Sequence, residues 1–288
     1  MVSAMADRET AFEFTSGDLA PGDQKSLELD CSGLEVAPVR SVDDSRFGLA
    51  YERLWHEFGA QHEMEPRDVI TRRLAWQPAT AVGDCWLRYE LILVRRRDRF
   101  AAVRDHTAIV RREAGAGRAV VHLSHVLVDP AWRRTGLAGW LRAWPLQTAR
   151  ACLRVAGFSA ASPITLVAEM EHPEPQKPER RIRLAAYEKA GFKKVDPAAV
   201  TYFQPDFRPP AQIDASGGPR PLPFGLVLRR VGREQEGTVR GAELRGIVEC
   251  LYRMYGQTFR EQDMAVVWST LQRFPADEAE IPLIDPTR

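Results

Sequence analysis

The chain has 288 residues, 44% hydrophobic and 27% charged, ordinary values for a globular protein able to bury a core without disulfides or metals. Forty basic residues stand against thirty-nine acidic ones, a net charge of +1, which gives no electrostatic case for nucleic acid or a membrane surface as partner. No apolar run approaches the ~20 residues of a transmembrane helix, and Met1 to Phe14 lacks the continuous apolar stretch of a secretory signal. Cys31, Cys85, Cys152 and Cys250 show no metal-ligand spacing and read as reduced thiols of a cytoplasmic protein.

Residues 1–33 carry Ser16-Gly17-Asp18 and Pro21-Gly22-Asp23, turn chemistry suited to an extension laid over a core. Leu34, Val36 and Val39 predict a first strand, and Ser41 or Asp43 caps the helix that follows. That helix places Phe47, Leu49, Ala50, Leu54, Trp55 and Phe58 at helical spacing. A short second helix starts at Pro66, where proline suits the first turn. Residues 86–94 read as a strand, the charged group Arg95 to Arg99 turns the chain, and 100–110 returns as the hairpin partner. After Gly115 to Gly117 a further strand, 119–128, runs into Asp129-Pro130. A long helix fits 136–155, with a kink or break expected at Pro145. A short apolar strand at 164–168, a helix at 180–190 closed by Gly191, and strands at Tyr202-Phe203 and 224–231 complete a main unit over 34–235. The tail, 236–288, reads as a helical appendage, with amphipathic segments at 239–255 and 263–274 and no repeat of upstream motifs.

The stretch that carries chemistry is Val126-Leu127-Val128-Asp129-Pro130-Ala131-Trp132-Arg133-Arg134-Thr135-Gly136-Leu137-Ala138. A strand passes through a turn into a helix whose first turn holds Gly136, Ala138 and Gly139. Small residues there permit close approach to the backbone, and the first N–H groups of a helix favour an anion such as a pyrophosphate. Arg133 and Arg134 add positive charge at the mouth. The same small residues would also serve close helix–sheet packing, with the arginines a solvated turn.

This segment resembles the coenzyme A-binding motif of the GNAT acetyltransferase superfamily: apolar strand, proline, aromatic residue, then Arg/Gln-x-x-Gly-x-Gly/Ala. Val128, Pro130, Trp132, Arg133, Gly136 and Ala138 meet that pattern. Ala186-Tyr187-Glu188-Lys189-Ala190-Gly191-Phe192 is similar to the second signature of the family, a helix ending in Tyr-x-x-x-Gly-Phe. The resemblance covers roughly residues 34–231. It implies an α+β fold, an α/β/α sandwich around a mixed, mostly antiparallel sheet with a splayed coenzyme A cleft. It implies that Arg134, Thr135, Gly136, Leu137 and Ala138 meet the phosphates, with Arg133 opening the motif. By the same resemblance Val126, Leu127 and Val128 pair with the pantetheine arm, and Tyr187 protonates the departing thiolate. A phenol of pKa ~10 carries its proton at neutral pH and suits that role. Acetyl-CoA is then the cosubstrate, with no metal.

An acceptor amine must lose a proton, so a base is needed. Glu169, at the end of the 164–168 strand, ranks ahead of His125 for this role, and Glu171 adds a second carboxylate. His122 and Ser124 fall on one face of a regular strand and His125 on the other, unless a bulge intervenes. Asp105 and His106 interrupt another strand where apolar residues would be ordinary. The region between Glu171 and Arg183, where the family commonly carries an asparagine, is charged and proline-rich here. The expected activity is transfer of acetyl to a primary amine of a small molecule or peptide, by direct attack in a ternary complex. The alternative is a non-catalytic acetyl-CoA sensor using the C-terminal helices as a partner surface, and a homodimer is left open.

Overall fold

A computed structural model of the protein describes residues 17–59, 63–113 and 115–288. A 3-10 helix, Pro21–Glu28, precedes β1 (Leu34–Val39), α1 (Arg46–Phe58), α2 (Arg67–Leu74) and β2 (Thr80–Val82). Then come β3 (Cys85–Arg96), β4 (Arg99–Glu113) and β5 (Ala116–Val128), followed by α3 (Leu137–Val155), β6 (Ile164–Met170) and α4 (Pro178–Lys189). The remainder is β7 (Lys193–Val195), β8 (Tyr202–Gln204), α5 (Pro210–Ala215), β9 (Leu222–Arg230), β10 (Thr238–Arg240), α6 (Gly241–Gly256), α7 (Glu261–Thr270) and β11 (Glu280–Ile284).

The strands form a single sheet in the order β1-β3-β4-β5-β6-β9-β7-β11-β10, with β2 on β3 and β8 on β9. β5 and β6 run parallel; the other pairings among the described residues are antiparallel. Side chains alternate between two cores, as a strand of period two requires. On β3, Leu87, Tyr89, Leu91 and Leu93 face the core under α1, α2, α6 and α7, whereas Ile92 and Val94 face α3. On the second side, α3 and α4 cover β4, β5 and β6 through Ala149, Leu153, Leu184 and Tyr187. The result is an α/β/α arrangement of the expected class.

α3 runs through Pro145 as one helix, against the expected break. Leu141, Trp144, Leu146 and Ala149 are all buried against the sheet on either side of the proline, and that packing outweighs the missing N–H. The tail also differs from a purely helical reading. It contributes β10 and β11, and β11 joins the sheet through Leu283↔Val195 and Ile284↔Lys194. Pro282 masks this strand in the sequence, since proline weighs against a strand assignment. The four cysteines are free thiols. Among the described residues no helix is long and apolar enough to cross a membrane.

Candidate active site

The site begins where two parallel strands part. β5 and β6 pair from Ala119↔Ile164 to His122↔Val167 and no further. Beyond that point β5 stays with β4 as far as Ala102↔Val128, while β6 stays with β9 to Met170↔Gly225. A bulge lies at the parting: between Asp105↔His125 and Thr107↔His122, the single residue His106 opposes both Leu123 and Ser124. A bulge bends its strand and increases the local twist, which suits the opening of a gap. A cavity of about 220 Å³ fills that gap, with His122, Ser124, His125, Glu169, Tyr187 and Tyr255 in its wall.

The bulge also shifts the alternation of side chains. His122 and His125, three residues apart, both turn toward the α1 and α6 side, where Tyr255 and Phe58 meet their rings. The bulge therefore brings to one pocket two histidines that a regular strand would part.

Glu169 is the most heavily bonded group in the cavity wall. His122 Nε2 lies 2.9 Å from its Oε2, Gln204 Nε2 donates at 3.0 Å and the Tyr255 hydroxyl at 2.5 Å; the Tyr202 hydroxyl donates to Oε1. Burial opposes its charge, but the bonds from His122, Tyr202 and Tyr255 outweigh burial and hold the carboxyl below the usual range. In the neutral tautomer with Nε2 donating to this carboxylate, Nδ1 carries the lone pair, 3.1 Å from Ser124 Oγ.

His125 is arranged differently. Its Nδ1 meets Asp105 Oδ1 at 2.9 Å and its Nε2 meets the main-chain oxygen of Glu63 at 2.9 Å. Both partners only accept, so both ring nitrogens donate and the ring is an imidazolium. Burial works against that charge, yet Asp105 raises the pKa to about 9. Asp105 is also buried, but His125 and the Tyr89 hydroxyl, at 3.0 Å, bring its carboxyl down to about 2.

Tyr187 stands on the opposite side of the gap, 8% exposed, its ring edge-on to Phe192 at 4.8 Å. Two guanidinium groups, the buried Arg104 and the half-buried Arg142, lie near enough to interact with it electrostatically. Arg104 Nε and Nη1 have no hydrogen-bond partner among the described residues, and burial lowers the pKa of Arg104 to about 10. At the mouth, Glu63 faces Glu171; burial first and that neighbouring carboxylate second raise the pKa of Glu63.

The loop after β5 is held by Asp129, whose side chain accepts from Ala131 N at 2.9 Å at the start of a 3-10 turn, Pro130–Trp132. Arg134 (φ 66°) and Gly136 (φ 98°) are left-handed, and Gly136 caps α3. Arg133, Arg134 and Thr135 are exposed. The glycines, by contrast, meet the protein's own amino-terminal segment. Ser26 Oγ donates to Gly136 O at 2.7 Å, and a Cβ on Gly136 would come within 2.9 Å of Lys25 O. A Cβ on Gly139 would come within 2.4 Å of Ser26 Oγ. Asp23 completes the contact by pairing with Arg142 at 2.5 and 2.9 Å. On the other side of the loop, Trp132 and Thr135 border a broad hollow shared with Arg96, Arg97 and Arg99.

Of the residues singled out in the sequence, Tyr187, Glu169, His125 and Val126 share the cavity, with Leu127 and Val128 continuing the open edge of β5. The group from Arg133 to Ala138 lies past the end of that edge and outside the cavity wall. Sequence reasoning missed Tyr202, Gln204 and Tyr255, whose bonds to Glu169 span 33, 35 and 86 residues. It also missed Arg104 and Glu63, which no local pattern marks.

No family model matches the chain, and no curated protein matches it. Among solved structures, it is similar to an aminoglycoside acetyltransferase from an uncultured soil metagenomic sample, in complex with trehalose. That likeness has 12% identity and a TM-score of 0.32, over 55% of this chain and 88% of the other. An aminoglycoside acetyltransferase from such a sample in complex with sisomicin is similar at 11% identity and a TM-score of 0.31, over 54% of this chain and 87% of that one. These likenesses are loose, and the function is read from the site itself.

Proposed function

We propose that the protein is an acyltransferase of the GNAT kind, moving the acetyl group of acetyl-CoA to a primary amine by direct attack in a ternary complex. The observation that carries this reading is the parting of β5 and β6 after His122↔Val167, with a cavity in the gap. A strand edge left without a neighbour offers main-chain donors and acceptors, which suits the extended, amide-bearing pantetheine arm. Val126, Leu127 and Val128 supply that edge. The helix start at Gly136 and the exposed residues Arg133, Arg134 and Thr135 suit the pyrophosphate. Because Ser26 and Asp23 cover Gly136 and Gly139, the phosphates approach from the arginine side, where Arg96, Arg97 and Arg99 add positive charge.

The chemistry follows from the protonation states. The amine enters from the α1 and α6 side, where Glu171 is already paired with Arg180 and Arg183 and Glu63 is the carboxylate left to meet a cationic acceptor. His122 Nδ1 takes the proton of the attacking amine, with Ser124 on its path and Glu169 fixing the ring from behind. Glu169 thus acts as base through His122. His125, with both nitrogens donating, supplies positive charge and position rather than a lone pair. From the far side Tyr187 gives its proton to the leaving sulfur, and Arg104 and Arg142 stabilise the negative charge that develops there.

A non-catalytic sensor has less support, because α6 and α7 turn Leu244, Ile247, Leu251, Met264 and Val267 into the core rather than toward a partner. The test is release of free thiol from acetyl-CoA across a panel of amines. Release above the amine-free rate with at least one amine, slowed in Tyr187→Phe without weaker acetyl-CoA binding, is the expected result. Tight binding with no release for any amine would favour the sensor.

A further inference from the structure

We propose that Ser124, His122 and Glu169 form a serine–histidine–carboxylate relay that gives the cavity a second activity, hydrolysis of activated esters and thioesters through an acyl-serine. The three groups meet the geometric test for an activated nucleophile. Ser124 Oγ is 3.1 Å from His122 Nδ1, and His122 Nε2 is 2.9 Å from Glu169 Oε2. The carboxylate is locked in turn by Tyr255, Gln204 and Tyr202, so the imidazole is anchored through Nε2 with Nδ1 toward the serine.

Ser124 is also placed to react. It is half-buried, lines the cavity and sits on the bulge, where two β5 residues share one β4 partner. Past His122 the main chain of β5 has no β6 neighbour, and the His125 N–H there is taken by Asp105 Oδ1 at 2.8 Å. A serine that only completed the bulge would need no oriented imidazole, since its hydroxyl already reaches the open cavity.

In the acylation step Ser124 Oγ bonds to the ester carbonyl carbon, its proton passes to His122 Nδ1, and the bond to the leaving alkoxide or thiolate breaks. The leaving alkoxide or thiolate takes that proton from His122, which is neutral again before the second step. In the second step water attacks the acyl-serine, gives a proton to His122, and Ser124 leaves and recovers that proton. The products are a free acid and an alcohol or thiol, with no other reactant.

The relay does not require the coenzyme reading, so it is tested without coenzyme. The full chain is mixed with p-nitrophenyl acetate and, separately, with a fluorophosphonate, and the acid-quenched protein is mapped by mass spectrometry. A burst of p-nitrophenolate with an acetyl or phosphonyl adduct on Ser124 is expected. Ser124→Ala abolishes both, Ser124→Cys keeps the burst as a thioester, and His122→Ala slows acylation by about 10²-fold or more. Adducts confined to other residues, or hydrolysis unchanged in a folded Ser124→Ala, would overturn the proposal whether or not the chain binds acetyl-CoA.

Discussion

Asp105 and His125 are a buried ion pair whose two pKa values move in opposite directions, to about 2 and about 9. The histidine is raised above its unfolded value near 6.5, so its stabilisation is complete below that pH and is lost as pH rises through about 9. The aspartate is depressed, so its stabilisation is complete above about 4 and is lost as pH falls through about 2. Thermal stability should therefore fall between pH 6.5 and 9, and Asp105→Asn should flatten that decline while costing ~3 kcal/mol at neutral pH. An unchanged melting profile in Asp105→Asn would remove the pair from the account. Tyr187→Phe belongs to the same scale: acyl transfer slows by about 10²-fold or more with the acetyl-CoA dissociation constant unchanged, measured by thiol release and calorimetry. These residues differ in how far the chain announces them. Tyr187 and Glu169 stand beside a motif and a strand end, and both reach the cavity. His122 and His125 share a face only because His106 opposes two residues, and a bulge of that kind leaves no periodic trace. Tyr255 reads as one more apolar position of an amphipathic helix; its bond to Glu169 is a product of the tertiary fold.

At the scale of elements, the loop between β5 and α3 shows how one sequence feature serves two purposes. Its arginine side is exposed, as an anion site requires, while its glycines accommodate Ser26 and Asp23 of the protein's own 3-10 helix. Gly136→Glu is consequently no clean probe of phosphate binding. It forces a side chain onto φ 98° and into Lys25 O, and should displace residues 17–29 as well as any ligand. Asp23→Asn is the milder change. Loss of the charged bond to Arg142 should speed amide exchange across residues 17–29 while leaving β3, β4 and β5 protected; equal protection in both proteins would show that the contact does not hold the segment. The long elements, β3, β4, β5 and α3, were legible from apolar periodicity. β2, β7, β10 and β11 were not, because strands of three to five residues hold too few alternations to register unless, as in β8, adjacent aromatic residues mark them.

For the molecule as a whole, the two faces of the sheet divide the work. α3 and α4 carry Arg142 and Tyr187 to one side of the gap, and α6 brings Tyr255 to the other. Residues 236–288 therefore share the core that supports the site: Leu244, Ile247, Leu251 and Tyr252 pack with Tyr89 and Leu91 of β3 and Leu226 of β9. A chain ending at 235 should lose cooperative unfolding as well as activity, and a sharp thermal transition in that fragment would contradict this. The overall class was readable because long periodic segments and two motifs set the order of the central elements, whereas the joining of the tail to the sheet depends on the short pairing of β11 with β7. The central claim, that the parted strands receive acetyl-CoA, is tested most directly by hydrogen exchange of the full chain with and without acetyl-CoA. Slower exchange concentrated in residues 123–139, the open edge of β5 and the loop into α3, is the result expected. No change there at saturating acetyl-CoA would contradict it.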